Sequence, residues 1–171
     1  MQRYHGSSER RAARPAAVVG VAALVVLASW ARWRPFRAAI AGGSMRPVLE
    51  PGDFVVASAR GAVRRGSVVV VERPDRPGLE VVKRVAAVTG DRISAVPGGA
   101  FDGRTLERGE LWVLGDNPPE STDSRTFGPV ESGAVRGVVR FRYWPPRRAG
   151  LVAAVSLGGS LERTGSSRPE R

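Results

Sequence analysis

The sequence contains no cysteine, one histidine and, among 27 lysines and arginines, a single lysine. Without cysteine there is no disulfide, no thiol nucleophile and no thiolate metal site. The one histidine, His5, stands in a polar N-terminal stretch. A Ser-His-Asp triad or a histidine-rich metal centre therefore has no imidazole to use in the rest of the chain. Neither a metal nor a cofactor is expected. Aromatic residues are sparse, at 6%, and no stacking segment, zinc finger or helix-turn-helix pattern accompanies the net charge of +11. Much of that charge flanks the expected core. Arg3, Arg10, Arg11 and Arg14 precede the first apolar run, Arg32, Arg34 and Arg37 follow it, and Arg147, Arg148, Arg163, Arg168 and Arg171 lie in the C-terminal tail. Basic flanks of this kind suit an anionic membrane surface, and nucleic acid is not expected as a partner.

Long apolar runs are also scarce. Residues 16–31, AAVVGVAALVVLASWA, form the one uncharged stretch of such length. As a helix it would extend about 24 Å, a little short of the roughly 30 Å hydrocarbon core. Trp30 and Trp33 at its end suit an interfacial belt. We read it as a single-pass anchor in the cytoplasmic membrane. A cleavable signal peptide ending at Ser29-Trp30-Ala31 and a soluble core helix are the alternatives. Arginines on both sides leave the orientation open.

What remains is rich in glycine, proline and short valine runs. A chain of 171 residues has room for one core. Strand-like segments cover residues 53–58, 67–72, 79–88, 92–96, 110–114 and 137–144, with turn clusters between them. The expected fold is mostly β: a compact antiparallel β-domain over residues 38–146. It follows a basic tail (1–15) and the anchor (16–31) and precedes a flexible Arg/Gly/Ser-rich tail (147–171).

The lone lysine lies in LEVVKRVAAV. Read with period two, Lys83 shares a face with Leu79, Val81, Val85 and Ala87, while Glu80 and Arg84 lie on the other. Lysine, unlike arginine, can be made neutral near pH 7 by burial. Chance retention in an arginine-biased chain is the plain alternative. A neutral amine matters if something needs a base. In AGGSMRPVLEPGD, Ser44 follows two glycines, which allow close backbone approach and an exposed hydroxyl. A serine hydroxyl is a weak nucleophile until a neighbouring base takes its proton, and Lys83 is the available base. An ordinary turn is the alternative for Gly-Gly-Ser. A third constellation, LGDNPPESTDSRTFGPV at 114–130, gathers Asp116, Asn117, Ser121, Asp123, Ser124 and Arg125. Here Asp123 and Arg125 can pair, and a serine can orient a lysine amine; a structural Asx-turn network is the alternative.

Ser44-Met45-Arg46-Pro47-Val48-Leu49, then Lys83-Arg84-Val85 with Gly90-Asp91, then Gly115-Asp116-Asn117 through Ser121-Thr122-Asp123-Ser124-Arg125 to Gly128 and Val130 together resemble the type I signal peptidase family. The resemblance covers roughly residues 40–144. It implies a membrane-anchored serine endopeptidase with a Ser–Lys dyad: Ser44 as nucleophile, Lys83 as general base, Ser121 orienting the lysine, and Asp123 with Arg125 as a supporting ion pair. Gly42 stands where some members carry a serine that helps form the oxyanion hole, which leaves the Ser44 backbone N–H as the main donor. Ala87 and Thr89 replace the usual Gly and Pro of the lysine box. The short chain and its Arg142-Tyr143-Trp144-Pro145 ending resemble the small branch associated with maturation of nickel-type superoxide dismutase. General processing of secreted preproteins is the alternative. The expected partners are an extended peptide segment of a precursor and membrane lipid, with the protease a monomer. Two readings from other classes are a self-cleaving LexA-like regulator, which would need a DNA-binding domain before Ser44, and a catalytically inactive basic binding module.

Overall fold

The computed structural model describes residues 13–93 and 100–154, and within the first helix the side chains of 18–29. His5, the end of the expected strand at 94–96 and the tail from 155 onward lie outside the described residues. The chain divides into two units, residues 1–34 and 35–171.

The first unit holds α1, Ala13–Trp33. Pro35 accounts for its end, because the residue before a proline is pushed out of the α region. Arg34, the residue after the helix, has φ 42°. Val18, Val19, Val21, Leu24, Val25, Val26 and Leu27 are all exposed, between 59% and 68%. Among the described residues, no helix is long and apolar enough to cross a membrane. The expected anchor at 16–31 thus coincides with a helix but gains no independent support as a span.

The second unit is an eight-stranded antiparallel sheet. Its strands are β1 (Pro35–Ala39), β2 (Phe54–Ser58), β3 (Val68–Glu72), β4 (Glu80–Val88), β5 (Glu110–Leu114), β6 (Val130–Glu131), β7 (Val135–Trp144) and β8 (Gly150–Leu151). They run in the order β1-β2-β7-β3-β4-β5-β6, with β8 paired to β7. β3 explains the unbroken valine run. Val68 and Val70 enter a core with Ile40, Met45, Leu49, Val55, Ala57 and Val139. Val69 and Val71 enter another with Val85, Leu111, Val113, Val130 and Val138. A strand covered on both faces has no polar face, so alternation disappears from its sequence.

The structure departs from the sequence reading in several places, and β1 and β6 lie where no strand was expected. The strict period-two face of β4 fails after Val85. The β4–β5 register shifts between Val85 and Ala87, and Ala86 and Ala87 instead pack with Ile93, Leu106 and Trp112. A one-residue insertion in a strand transposes every later side chain to the opposite face. Leu79 precedes the strand and is 40% exposed, so it does not bury the lysine. The segment expected at 92–96 contributes only an isolated bridge between Arg92 and Thr105 among the described residues. Finally, pairing extends beyond Pro146. A 3-10 turn at Pro146–Arg148 leads into β8, and the Val152 N–H donates to the Arg140 carbonyl.

Candidate active site

Ser44 sits in a 3-10 turn, Gly43–Met45, between β1 and β2. The following Met45 is fully buried in the first core and fastens this turn to the sheet. Lys83 lies mid-strand on β4 opposite Val69, and only 3% of it is exposed. Its Nζ donates to Ser121 Oγ at 3.0 Å. Ser121 Oγ in turn donates to Asp123 Oδ2 at 2.6 Å. Arg125 grips the same carboxylate through Nε at 2.8 Å and Nη2 at 2.7 Å. Asp123 also accepts the Gly115 N–H at 2.9 Å and caps the single helical turn α2, Ser124–Phe127. Thus four of the five expected site residues, Lys83, Ser121, Asp123 and Arg125, form one hydrogen-bonded chain. Ser44 and Lys83 line one cleft of about 210 Å3 with Ala39, Ile40, Ala41, Gly42, Met45 and the Glu80–Val82 edge. No hydrogen bond joins the Ser44 and Lys83 side chains among the described residues.

The electrostatics follow from burial and from the neighbours. Burial pushes the Lys83 amine below its ordinary value of 10.5; Asp123 opposes that shift, while Arg73 and Arg125 add to it. For Asp123, burial alone would raise the carboxyl. The Arg125 bond, the Gly115 N–H and the Ser121 hydroxyl outweigh it and hold the group below 3.8. Asp123 is therefore an anion locked to Arg125, and its charge does not reach Lys83 unshared.

Several contributors were not identified as site residues from sequence. Arg84, beside the lysine on the opposite side of β4, is 1% exposed. It forms a two-pronged pair with Asp116, both bonds 2.7 Å, and donates to the carbonyls of Gly66 and Ala153. Gly115 is a close-approach position. A Cβ there would lie 2.2 Å from Ser121 Oγ and 2.6 Å from the Ser44 carbonyl oxygen. Asn117 reaches across to the nucleophile turn: its N–H donates to Ser44 O at 2.9 Å and its Nδ2 to Gly43 O at 3.1 Å. The compact polar run after the apolar strand ELWVL was the available signal, but partners 32 to 74 residues away are invisible without the fold. Among the described residues, no group of three or more His, Asp or Glu side chains could hold a metal ion.

The 36% identical mouse mitochondrial inner membrane protease subunit 1 aligns over 110 residues, 61% of this chain and 66% of the relative, a little under two thirds of its length. The human subunit 1 is 33% identical over 123 residues, 68% of this chain and 74% of the relative. In Arabidopsis thaliana, the mitochondrial ATP-independent inner membrane protease subunit 1a is 41% identical over 118 residues, 64% of this chain and 70% of the relative. A crystal structure of a signal peptidase I from Enterococcus faecalis is similar at 23% identity and a TM-score of 0.39, covering 46% of this chain and 97% of that one. The family described as signal peptidase, peptidase S26, matches residues 11–100 and 98–144, so most of the chain is accounted for, and the protein belongs to that family.

Proposed function

We propose that this protein is a membrane-associated serine endopeptidase that removes an N-terminal extension from a precursor, with Ser44 as nucleophile and Lys83 as general base. One observation carries the reading: a buried amine with a lowered pKa, aimed by Ser121 and Asp123, opens into the same cleft as a serine. Neutral Lys83 takes the Ser44 proton as Oγ attacks the scissile carbonyl. The tetrahedral oxyanion collapses, the C–N bond breaks, and the Lys83 ammonium gives its proton to the leaving amine. Water then attacks the acyl-serine with Lys83 again as base, which releases the acid and restores the hydroxyl.

The cleft supports an extended peptide as substrate, laid between the Ala39–Gly42 wall and the Glu80–Lys83 strand. Its alanine and valine lining favours small side chains beside the cut. Membrane association draws its support from the relatives named as inner membrane proteases and from the exposed valines and leucines of α1. We assign α1 as a single-pass anchor and the catalytic unit as a monomer. Nickel-type superoxide dismutase precursors are supported only by the GDNPPESTDSRTFGPV and RYWP resemblance; the relatives above are inner membrane proteases. The test is cleavage of two precursor peptides, one a secretory leader and one a dismutase extension, by wild type and Ser44→Ala. Wild-type cutting that vanishes in Ser44→Ala supports the assignment, and the preferred peptide identifies the branch. Equal cutting by both proteins rules Ser44 out. Carbonate washing of full-length and helix-deleted protein tests the anchor: equal release of both removes it.

A further inference from the structure

Gly42 leaves the oxyanion of the proposed reaction with one evident donor, the Ser44 N–H, so the direction of that single bond carries unusual weight. The peptide unit joining Gly43 and Ser44 is planar, so its C=O and N–H point in opposite directions. Whatever holds the Gly43 carbonyl therefore aims the Ser44 N–H. That carbonyl accepts two bonds: from the Arg46 N–H at 3.1 Å within the turn, and from Asn117 Nδ2 at 3.1 Å across the site. Together they occupy both lone pairs. The next carbonyl, Ser44 O, is held by the Asn117 backbone N–H at 2.9 Å.

Asn117 heads the 3-10 turn Pro118–Glu120, where an asparagine ordinarily folds back to cap the turn. It makes no side-chain cap bond. Its amide is committed to Gly43, 74 residues away. The segment carrying Asn117 continues directly into Ser121 and Asp123, which hold the lysine. One loop thus fixes the base at one end and the nucleophile turn at the other.

We propose that Asn117 is a positioning residue that sets the oxyanion donor by clamping the Gly43 and Ser44 carbonyls, a role that rests on the reading of Ser44 as nucleophile. It touches neither substrate nor reacting atoms. Its removal leaves the base intact and loosens the direction of the Ser44 N–H. Deleting a direct oxyanion donor costs about 100- to 1,000-fold in kcat, so loosening one is expected to cost about 10- to 100-fold.

The experiment uses full-length protein in detergent micelles with a quenched fluorescent precursor peptide. Asn117→Ala should lower kcat about 10- to 100-fold with KM within about twofold. A peptide boronate, which forms a tetrahedral anionic adduct with the serine, should bind more weakly by a similar factor. An uncleavable peptide of the same sequence should bind as before. Asn117→Asp keeps the shape but faces the Gly43 carbonyl with a carboxylate oxygen, and it should be at least as slow. In Asn117→Ala the apparent pKa of the pH–rate profile should stay at the wild-type value, because the lysine contacts are untouched and no charge is added. Wild-type kcat in both variants overturns the proposal, as does, in Asn117→Ala, a loss of kcat with unchanged boronate affinity or with a shifted pKa. Ser44→Ala is the separate control: activity that survives it refutes the nucleophile assignment itself, whatever the Asn117 variants do.

Discussion

Replacing Lys83 by methionine or by arginine separates its chemistry from its place in the fold. An ordinary lysine amine with pKa 10.5 has about one molecule in a thousand neutral at pH 7.5. Each unit by which burial lowers the pKa raises that fraction tenfold and costs the charged form about 1.36 kcal/mol. The pH dependence of wild-type kcat/KM should therefore climb tenfold per unit and level off at an apparent pKa below 10.5. Arginine keeps the charge but does not surrender its proton, and methionine carries no proton acceptor of use, so both variants should lose on the order of 10,000-fold or more in kcat/KM. Stability should respond differently. The folded amine loses its proton at lower pH than the unfolded one, so between those two values the unfolded chain binds more protons and stability rises with pH. The methionine variant lacks this dependence. Its denaturation midpoint relative to wild type should be highest below the folded pKa and should decline steadily toward pH 10.5. Initial rates and urea melts between pH 6 and 10.5 would measure both. Appreciable cleavage by Lys83→Arg, or a wild-type stability difference that stays flat across this range, would refute the reasoning.

Three other perturbations test the surrounding frame. Gly115→Ala places a methyl 2.6 Å from the Ser44 carbonyl and 2.2 Å from Ser121 Oγ; it should cost about 1–3 kcal/mol in a urea melt and sharply reduce kcat, and wild-type values for both would show the contact to be slack. Asp116→Ala strands the buried Arg84 guanidinium and should destabilise by about 3–5 kcal/mol, much of it regained in the double variant with Arg84→Met; a loss below about 1 kcal/mol would mean the pair is not buried in solution. Asp123, whose folded pKa lies below 3.8, contributes stability that is present above that value and lost as pH falls through the folded one. Asp123→Asn should therefore flatten the acid limb of a stability–pH curve below about pH 4, and an unchanged limb would reject the assignment.

The β character, the approximate limits of five strands and the chemical types available for a site were readable from the chain's local patterns. Valine runs, glycine and proline turns and the lone lysine are local features, and a local pattern suffices to read them. The clustering of Ser121, Asp123 and Arg125 was equally legible, because those residues lie within a few positions of one another. Tertiary structure alone decided which face each β4 residue takes, since the register shift after Val85 depends on how β5 pairs and not on composition. It likewise decided the partner of Arg84, drawn from Asp116, Gly66 and Ala153 on separate segments. Only the folded chain brings Asn117 to Gly43. The physical reason is the same each time: burial and hydrogen bonding are satisfied between segments distant in sequence, and a one-residue change of register reassigns all of them at once.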